Sequence, residues 1–168
     1  ERLSLEEPWG LEVDFSDGVN LMVIGLFEGD TPLKAASDAL PPQMRPQVHD
    51  FITSVNGVSQ ESQKIVAELR RSTSVKVVVA RPRTIRPRIA RGDAPLGIEL
   101  SYGRGNAPPI VTKINPGRIS EWNKATPELE VRLKDRMVSV NGKGGSPKEL
   151  LAQISQSHIV DIVFVRPE

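Results

Sequence analysis

The segment VHDFITSVNG at residues 48–57 decides the fold, because it returns as LKDRMVSVNG at residues 133–142. Both copies keep an apolar residue, an aspartate, further apolar residues and a closing Ser-Val-Asn-Gly in the same order. An Asn-Gly pair suits a tight turn, since both residues tolerate positive φ. Each copy therefore predicts a short strand that ends at a turn.

Two further landmarks repeat in the same order on either side of this segment, which indicates one structural unit written twice. They are PWGLEV and PLGIEL at residues 8–13 and 95–100, and VVVARP and IVFVRP at residues 77–82 and 162–167. A chain of 168 residues fits two domains near the lower end of the usual size range. We therefore expect one domain at residues 1–82 and a second at residues 83–168.

Composition narrows the classes of function. Hydrophobic residues make up 38% of the chain and charged residues 26%, which is typical of a folded globular protein. A formal net charge of +1 gives no overall field that would attract nucleic acid or an anionic membrane. With no cysteine and two histidines, the sequence excludes a thiolate nucleophile and indicates no catalytic triad, no metal site and no cofactor.

The apolar runs and the start of the chain also lead to expectations. No apolar run approaches the roughly 18 residues that a transmembrane helix needs, so we expect no membrane span. The chain begins with Glu1 rather than methionine, and we expect it to be a processed product or an excised fragment.

Each half predicts a small sheet. From the glycine of PWGLEV and of PLGIEL onward, apolar residues alternate with polar ones, which is the period of a half-buried strand. The alternating apolar residues are Leu11, Val13 and Phe15 in the first half and Ile98, Leu100 and Tyr102 in the second. Apolar runs at residues 21–26 and 110–114 predict second strands, and each half closes with a β-branched strand.

Each half also predicts one amphipathic helix before its last strand. In the first half Ser59 or Ser62 is available as the N-cap, and in the second half Ser146 is followed by Pro147 at the first helical position. The proline-containing segments between the second and third strands predict irregular structure. We predict an α+β fold of two small, partly open β-barrels or sandwiches, each with five or six strands and one or two helices.

The segment RPRTIRPRIAR at residues 81–91 joins the halves and contains five arginines and two prolines. It predicts an edge strand of the second half with Ile85 and Ile89 facing inward, since proline is tolerated on an edge. The alternative is a basic patch for phosphates or acidic lipid, and we favour the strand because no aromatic or further basic cluster accompanies the arginines.

These residues resemble a known family. RGDAPLGI at residues 91–98 resembles the carboxylate-binding loop of PDZ domains, in which a basic residue precedes an x-Φ-Gly-Φ sequence with Φ apolar. The two Asp-to-Asn-Gly segments resemble the PDZ segment that comes before a peptide-flanking helix and a last strand. The resemblance covers nearly the whole chain and implies two PDZ-like domains in tandem.

The chemistry of such a site follows from its backbone. A tight apolar turn containing glycine can direct consecutive N–H groups into one concavity, which accepts an anion such as the terminal carboxylate of a peptide. The next strand has an open edge to which an extended peptide can add by main-chain hydrogen bonds, while the helix closes the other side of the groove.

The resemblance implies one peptide-binding set in each copy, made of loop amides, apolar strand residues and the inner face of the helix. In the first copy the set is Trp9, Gly10, Leu11, Val13, Ser62, Val66 and Leu69. In the second copy it is Arg91, Leu96, Gly97, Ile98, Leu100, Pro147, Leu151 and Ile154. Because the pockets are apolar, we expect the partners to be protein C-termini or extended peptides that end in Val, Leu, Ile or Phe.

The first copy departs further from the family than the second. Alignment on the loop glycine puts Ser4 where the second copy has Arg91, with Arg2 nearby as a substitute. If only one groove binds, we expect it to be the second.

Both copies also share two departures. The helix position that holds a ligand-selecting histidine in one large PDZ class falls on Ser62 and Pro147. The glycine that usually precedes the aspartate is replaced by His49 and Lys134.

Three hypotheses of function follow from the resemblance. The first is a non-enzymatic scaffold module that captures peptides. The second is a structural subunit that stays docked in a large, perhaps organellar, assembly with its grooves filled. The third is the regulatory PDZ portion of a protease whose catalytic domain lies elsewhere.

Overall fold

The structure, a computed structural model, describes residues 1–103 and 105–168. The chain divides into two compact units: unit 1 comprises Glu1–Pro82 with Pro167–Glu168, and unit 2 comprises Arg83–Arg166. None of the helices in the described chain is both long enough and apolar enough to cross a bilayer.

Unit 1 holds a five-stranded antiparallel sheet and two helices. Its elements are β1 (Leu11–Asp14), β2 (Leu21–Leu26), α1 (Pro32–Asp38), β3 (Phe51–Val55), β4 (Val58–Ser59), α2 (Ser62–Arg71) and β5 (Val77–Ala80). The strands are ordered β1-β2-β3-β4, and β5 also pairs with β3. Its core contains Leu21, Val23, Ile52, Val55, Ile65 and Leu69.

Unit 2 repeats this arrangement with a six-stranded sheet. Its elements are β6 (Pro82–Ile85), β7 (Arg88–Ala90), β8 (Ile98–Ser101), β9 (Ile110–Ile114), α3 (Arg118–Ala125), β10 (Arg136–Val140), α4 (Pro147–Gln156) and β11 (Ile159–Pro167). The strands are ordered β6-β11-β10-β9-β8, and β7 also pairs with β11. The predicted α+β fold, with five or six strands and one or two helices in each half, is confirmed, and neither sheet closes into a barrel within the described residues.

The turns and the joining segment form as the sequence predicts. Asn56 and Gly57 have φ of 50° and 82°, and Asn141 and Gly142 have φ of 52° and 74°, so both residues of each Asn-Gly turn adopt positive φ. The arginine-rich segment forms β6 and β7, and the two inward-facing side chains, Ile85 and Ile89, are 1% and 6% exposed.

The segments predicted to be irregular contain helices α1 and α3, so that prediction was wrong. Thr31 accepts a hydrogen bond from the Lys34 amide (3.2 Å) through Oγ1, and Pro32 takes the first helical position, where its missing N–H costs nothing. In the second segment Gly117 precedes α3, and its amide donates to Ser120 Oγ (3.0 Å). The Thr-Pro pair was therefore a helix signal in the sequence.

Two local predictions also need correction. Helix α2 has no serine cap: Glu61 stands at the N-cap without a side-chain bond, and Ser62 is the first helical residue. Strands β1 and β8 end before Phe15 and Tyr102, which are 41% and 50% exposed rather than inward-facing. By contrast, Ser146 caps α4 as predicted, with Oγ accepting from the Glu149 amide.

Candidate functional site

Each unit presents an edge strand beside a helix. β1 and β8 are the terminal strands of their sheets and pair with β2 and β9 alone among the strands of the described chain. Both strands carry a register shift, between Glu12 and Val13 and between Glu99 and Leu100. A bulge of this kind increases the local twist of a strand. The free edges are the places where an extended peptide could add.

The loop before β8 directs its carbonyls away from the groove. The carbonyls of Pro95 and Leu96 accept from the amides of Arg118 and Ile119 at the start of α3, at 3.1 and 3.0 Å. Gly97 has φ of 76°, and a Cβ there would lie 2.7 Å from the carbonyl oxygen of Asn115. The amides of Leu96 and Gly97 have no acceptor within the described residues. Two consecutive donors are thus available for an anion.

The loop before β1 has the same construction. The Trp9 carbonyl accepts from Leu33 at the start of α1, and the Gly10 carbonyl accepts from Phe27, both at 3.0 Å. Gly10 has φ of 93°, and a Cβ there would overlap the side chain of Thr31. Both glycines are therefore required by the turn and by the close approach of the following segment.

The structure places Arg2, and not Ser4, at the position of Arg91. The amide of Arg2 donates to Thr73 O and the amide of Arg91 to His158 O, both at 2.8 Å. Each side chain then donates through Nη2 to a carbonyl near the end of the groove helix, Arg70 O for Arg2 and Ser155 O for Arg91. The alignment on the loop glycine misplaced the arginine because two extra residues lie between Arg2 and Gly10.

The two arginines differ in what they have left to bind. Arg2 is buried and donates five hydrogen bonds to backbone carbonyls, which is all that a guanidinium can donate. It also stacks on the Trp9 ring, with Cζ 4.8 Å from the centroid. Within the described residues the side chain of Arg91 donates one bond, at 3.3 Å, and its buried Nε has no partner. Only Arg91 can offer further donors to a carboxylate.

The groove of unit 1 is bridged at both ends by its own hydrogen bonds. At one end Trp9 Nε1 donates to Leu69 O of α2 at 2.8 Å. At the other end Ser62 Oγ donates to Phe15 O at 2.9 Å, and the Ser62 amide donates to Gly18 O at 3.2 Å. An added strand would lie about 4.8 Å from β1. The bonds join α2 to the segments just before and just after β1, where such a strand would have to enter and leave.

The groove of unit 2 has no such bridges. Leu96 stands in the place of Trp9 and has no polar side-chain atom, and Pro147 stands in the place of Ser62 and has no N–H. Residues 96–103 form no hydrogen bond to α4. The two grooves therefore differ at two positions: Trp9 and Ser62 form the bridges in unit 1, and Leu96 and Pro147 cannot form them in unit 2.

Most of the apolar residues predicted to line the grooves pack against the core cluster of their own unit. Leu96, Ile98 and Leu100 pack, half-buried, against the core cluster that contains Ile154. In unit 1, Trp9, Leu11, Val13 and Val66 pack against the cluster that contains Leu69. Leu151 is 38% exposed on the groove helix, and Pro147 is half-buried at its start. Ser62 is 1% exposed and bonded within unit 1, so its predicted contact with a peptide requires the groove to open first.

The residues before β3 and β10 adopt a conformation that glycine favours. His49 and Lys134, which replace the expected glycine, have φ of 77° and 71°. Next to Lys134, the Asp135 carboxylate accepts from Arg166 Nη2 and from the Arg132 amide, both at 2.8 Å. Burial raises the pKa of Asp135 to about 6, because loss of solvent outweighs the stabilisation from these two donors.

Comparison with family models and with curated sequences finds no match for the chain. Solved structures that are similar to it include the following two. One is described as INAD PDZ45 in complex with NG2 peptide, at 14% identity, 97% coverage of this chain, 85% of that chain and a TM-score of 0.44. The other is described as INAD PDZ45 with NORPA CC-PBM, at 16% identity, 97% and 87% coverage and a TM-score of 0.40.

What the grooves can bind is inferred from their own atoms. In each unit, a glycine turn leads into an edge strand, and a helix that flanks this strand precedes the last strand. The chain thus repeats one α+β arrangement in two successive units. Sequence reasoning missed the Trp9 and Ser62 bridges, because the sequence does not show which carbonyls these donors reach.

Proposed function

We propose that the chain is a protein-interaction module in which unit 2 binds the C-terminal end of an extended peptide by strand addition. The observation that supports this most is the unbridged edge of β8, which lies beside α4 and begins at a loop with two free amides. Main-chain hydrogen bonds to β8 would supply affinity that is independent of sequence, and the apolar pocket would supply selectivity.

The expected pose follows from the positions of the donors. The peptide carboxylate would accept from the amides of Leu96 and Gly97, with the charge of Arg91 behind them. Because this loop precedes β8, a peptide that ends there must run antiparallel to β8. Its last side chain would pack against Ile98 and Ile154, which favours a peptide that ends in Val, Leu, Ile or Phe.

The residue two positions before the terminus would face the start and middle of α4. Pro147 and Leu151 line this part of the groove and offer no polar side-chain atom. An apolar side chain at this peptide position would therefore be preferred over serine or threonine, whose hydroxyl would lose its hydrogen bond to water there.

Titration of the chain with a fluorescent peptide that ends in Val-COOH tests the proposal. Arg91→Ala should weaken binding by about tenfold, the value of one charge-assisted hydrogen bond. Arg88→Ala, which removes the same charge from an exposed position on β7, should leave binding unchanged. Equal losses for both variants, or none for Arg91→Ala, would argue against the proposed carboxylate site.

A structural role is the second candidate, and it applies to unit 1. The bridges from Trp9 and Ser62 and the full use of Arg2 favour a unit whose groove is filled by its own side chains. No observation on the described residues favours the protease-regulatory alternative. We propose that unit 1 supports assembly and that unit 2 selects the ligand.

A further inference from the structure

A second arginine lies behind the loop that precedes β8. Arg118 is the first residue of α3, and its Nε donates to the carbonyl oxygen of Arg91 at 3.2 Å. Its Nη2 lies 3.9 Å from the position that a Cβ on Gly92 would take, so the guanidinium lies beside the turn after Arg91. The Arg118 amide donates to Pro95 O at 3.1 Å, further along the same loop. One residue therefore holds the loop at two points.

The side chain of Arg118 is itself fixed by its own helix. Its Nη1 donates to Glu121 Oε2 at 3.0 Å, one turn further along α3. The carbonyl of Arg91 accepts a second bond, from the Ala94 amide at 3.3 Å. Two donors on one carbonyl oxygen restrict rotation of the peptide unit that follows Arg91. They thereby hold the main chain from which the Arg91 side chain extends.

Unit 1 has no such arginine at the start of its corresponding helix. Helices α1 and α3 match at their second residues, Leu33 and Ile119, whose amides donate to the equivalent loop carbonyls. Pro32 is therefore the counterpart of Arg118. Proline has no N–H and no side-chain donor, so it can form neither of the bonds that Arg118 makes to the loop.

The loop of unit 1 is held by its own arginine instead. Arg2 Nη1 donates to Leu5 O at 2.9 Å and to Glu7 O at 3.0 Å, and both carbonyls lie in the loop before β1. Within the described residues the side chain of Arg91 binds only Ser155 O and makes no bond to its own loop. In unit 2 the arginine from α3 therefore supports the loop, and the arginine of the loop keeps donors for a ligand.

We propose that Arg118 is a positioning residue for the carboxylate site of unit 2: it holds the loop so that Arg91 directs its remaining donors to the peptide terminus. The inference rests on the peptide-binding function proposed above for this unit. A binding group must be held close to its productive geometry, and hydrogen bonds from neighbouring residues supply this precision. Arg118 would act through the carbonyl of Arg91 and not by contact with the peptide.

Peptide titrations of matched variants test the proposal. Arg118→Ala removes the side-chain bond to the loop and keeps the amide bond to Pro95 O. We expect it to weaken binding of a peptide that ends in Val-COOH about fivefold, the net value of one hydrogen bond, and to leave binding of the amidated peptide unchanged. Lys124→Ala removes a positive charge from an exposed position on the same helix and should change neither affinity.

A double-mutant cycle separates positioning from a direct effect of charge. Arg91→Ala removes the donors that Arg118 is proposed to position, so Arg118→Ala should cause no further loss of affinity in that background. The same fivefold loss with and without Arg91 would mean that Arg118 acts through its own charge, and this result would overturn the proposal.

The free chain provides a readout that does not depend on the peptide. Order parameters of the Gly92 and Asp93 amides, from nitrogen-15 relaxation, should fall in Arg118→Ala, from the rigid range of about 0.85 toward the flexible range below about 0.6. Unchanged order parameters, or an unchanged ratio of acid to amide affinity, would overturn the role of Arg118 alone. Equal affinity of the native chain for the acid and the amide would instead overturn the peptide-binding function on which the inference rests.

Discussion

Replacing Trp9 by leucine and Ser62 by proline would give unit 1 the two residues that leave unit 2 unbridged. The double variant removes three hydrogen bonds: Trp9 Nε1 to Leu69 O (2.8 Å), Ser62 Oγ to Phe15 O (2.9 Å) and the Ser62 amide to Gly18 O (3.2 Å). At a net value of about 1 kcal/mol each, they favour the closed groove by about 3 kcal/mol. Opening the groove should therefore raise peptide affinity about a hundredfold.

The substitutions suit the local backbone. Ser62 is the first helical residue of α2, a position where proline is favoured, and Glu61 before it is extended, as a residue before proline should be. Leucine at position 9 retains an apolar contact with the core cluster. We expect the variant to stay folded, which urea unfolding would verify.

Amide chemical shifts separate the two grooves in one titration. With a peptide that ends in Val-COOH, the native chain should show shifts at Ile98 and Leu100 but not at Leu11 and Val13. In the double variant the unit 1 amides should shift as well, with the predicted gain in affinity. Tight binding to native unit 1, or a folded double variant with no gain, would refute the account of closure.

Three further predictions concern the stability of unit 2. Gly97→Ala should abolish peptide binding and lower the free energy of unfolding by about 2 kcal/mol or more. The reasons are that Gly97 has φ of 76° and that the added methyl group would lie 2.7 Å from Asn115 O. Native stability in urea would contradict this prediction. Lys134→Gly should raise the free energy of unfolding by about 0.5–1 kcal/mol, because Lys134 has φ of 71° and glycine adopts this conformation without strain. A loss of stability in this variant would contradict the assignment of strain. Asp135 has a folded pKa of about 6, above the ordinary 3.8, so the folded unit binds the proton more tightly than the unfolded chain. The free energy of unfolding should therefore fall by up to about 3 kcal/mol as the pH rises from 4 to 7. Urea titrations at several pH values should show that Asp135→Asn removes this fall. An identical pH profile in both proteins would refute the prediction.

Much of the fold was predictable from local patterns. The Asn-Gly turns, the strands at residues 21–26 and 110–114 and the Ser146 cap depend on residues close in sequence, and all of them form as expected. The helix after Thr31 was missed although Thr-Pro is the same kind of start signal as Ser-Pro. That error came from interpreting the prolines of residues 32–46 as a sign of irregular structure, although Pro147 was interpreted as a helix start.

The difference between the two grooves was not predictable in the same way. The bond from Trp9 to Leu69 O joins residues 60 apart in sequence, and nothing in either segment indicates the other. The equivalence of Arg2 and Arg91 was hidden by a change in loop length, and their matching main-chain and side-chain hydrogen bonds identify it. Repetition in the sequence predicted two similar sites, and the hydrogen bonds donated by Trp9 and Ser62 distinguish unit 1 from unit 2.

The measurement that tests the central claim most directly is the stoichiometry of peptide binding by isothermal titration calorimetry. The native chain is titrated with a peptide that ends in Val-COOH and with the same peptide amidated at its C-terminus. The account predicts one peptide bound per chain and at least tenfold weaker binding of the amide. Two equal sites per chain, or equal affinity for the acid and the amide, would contradict it.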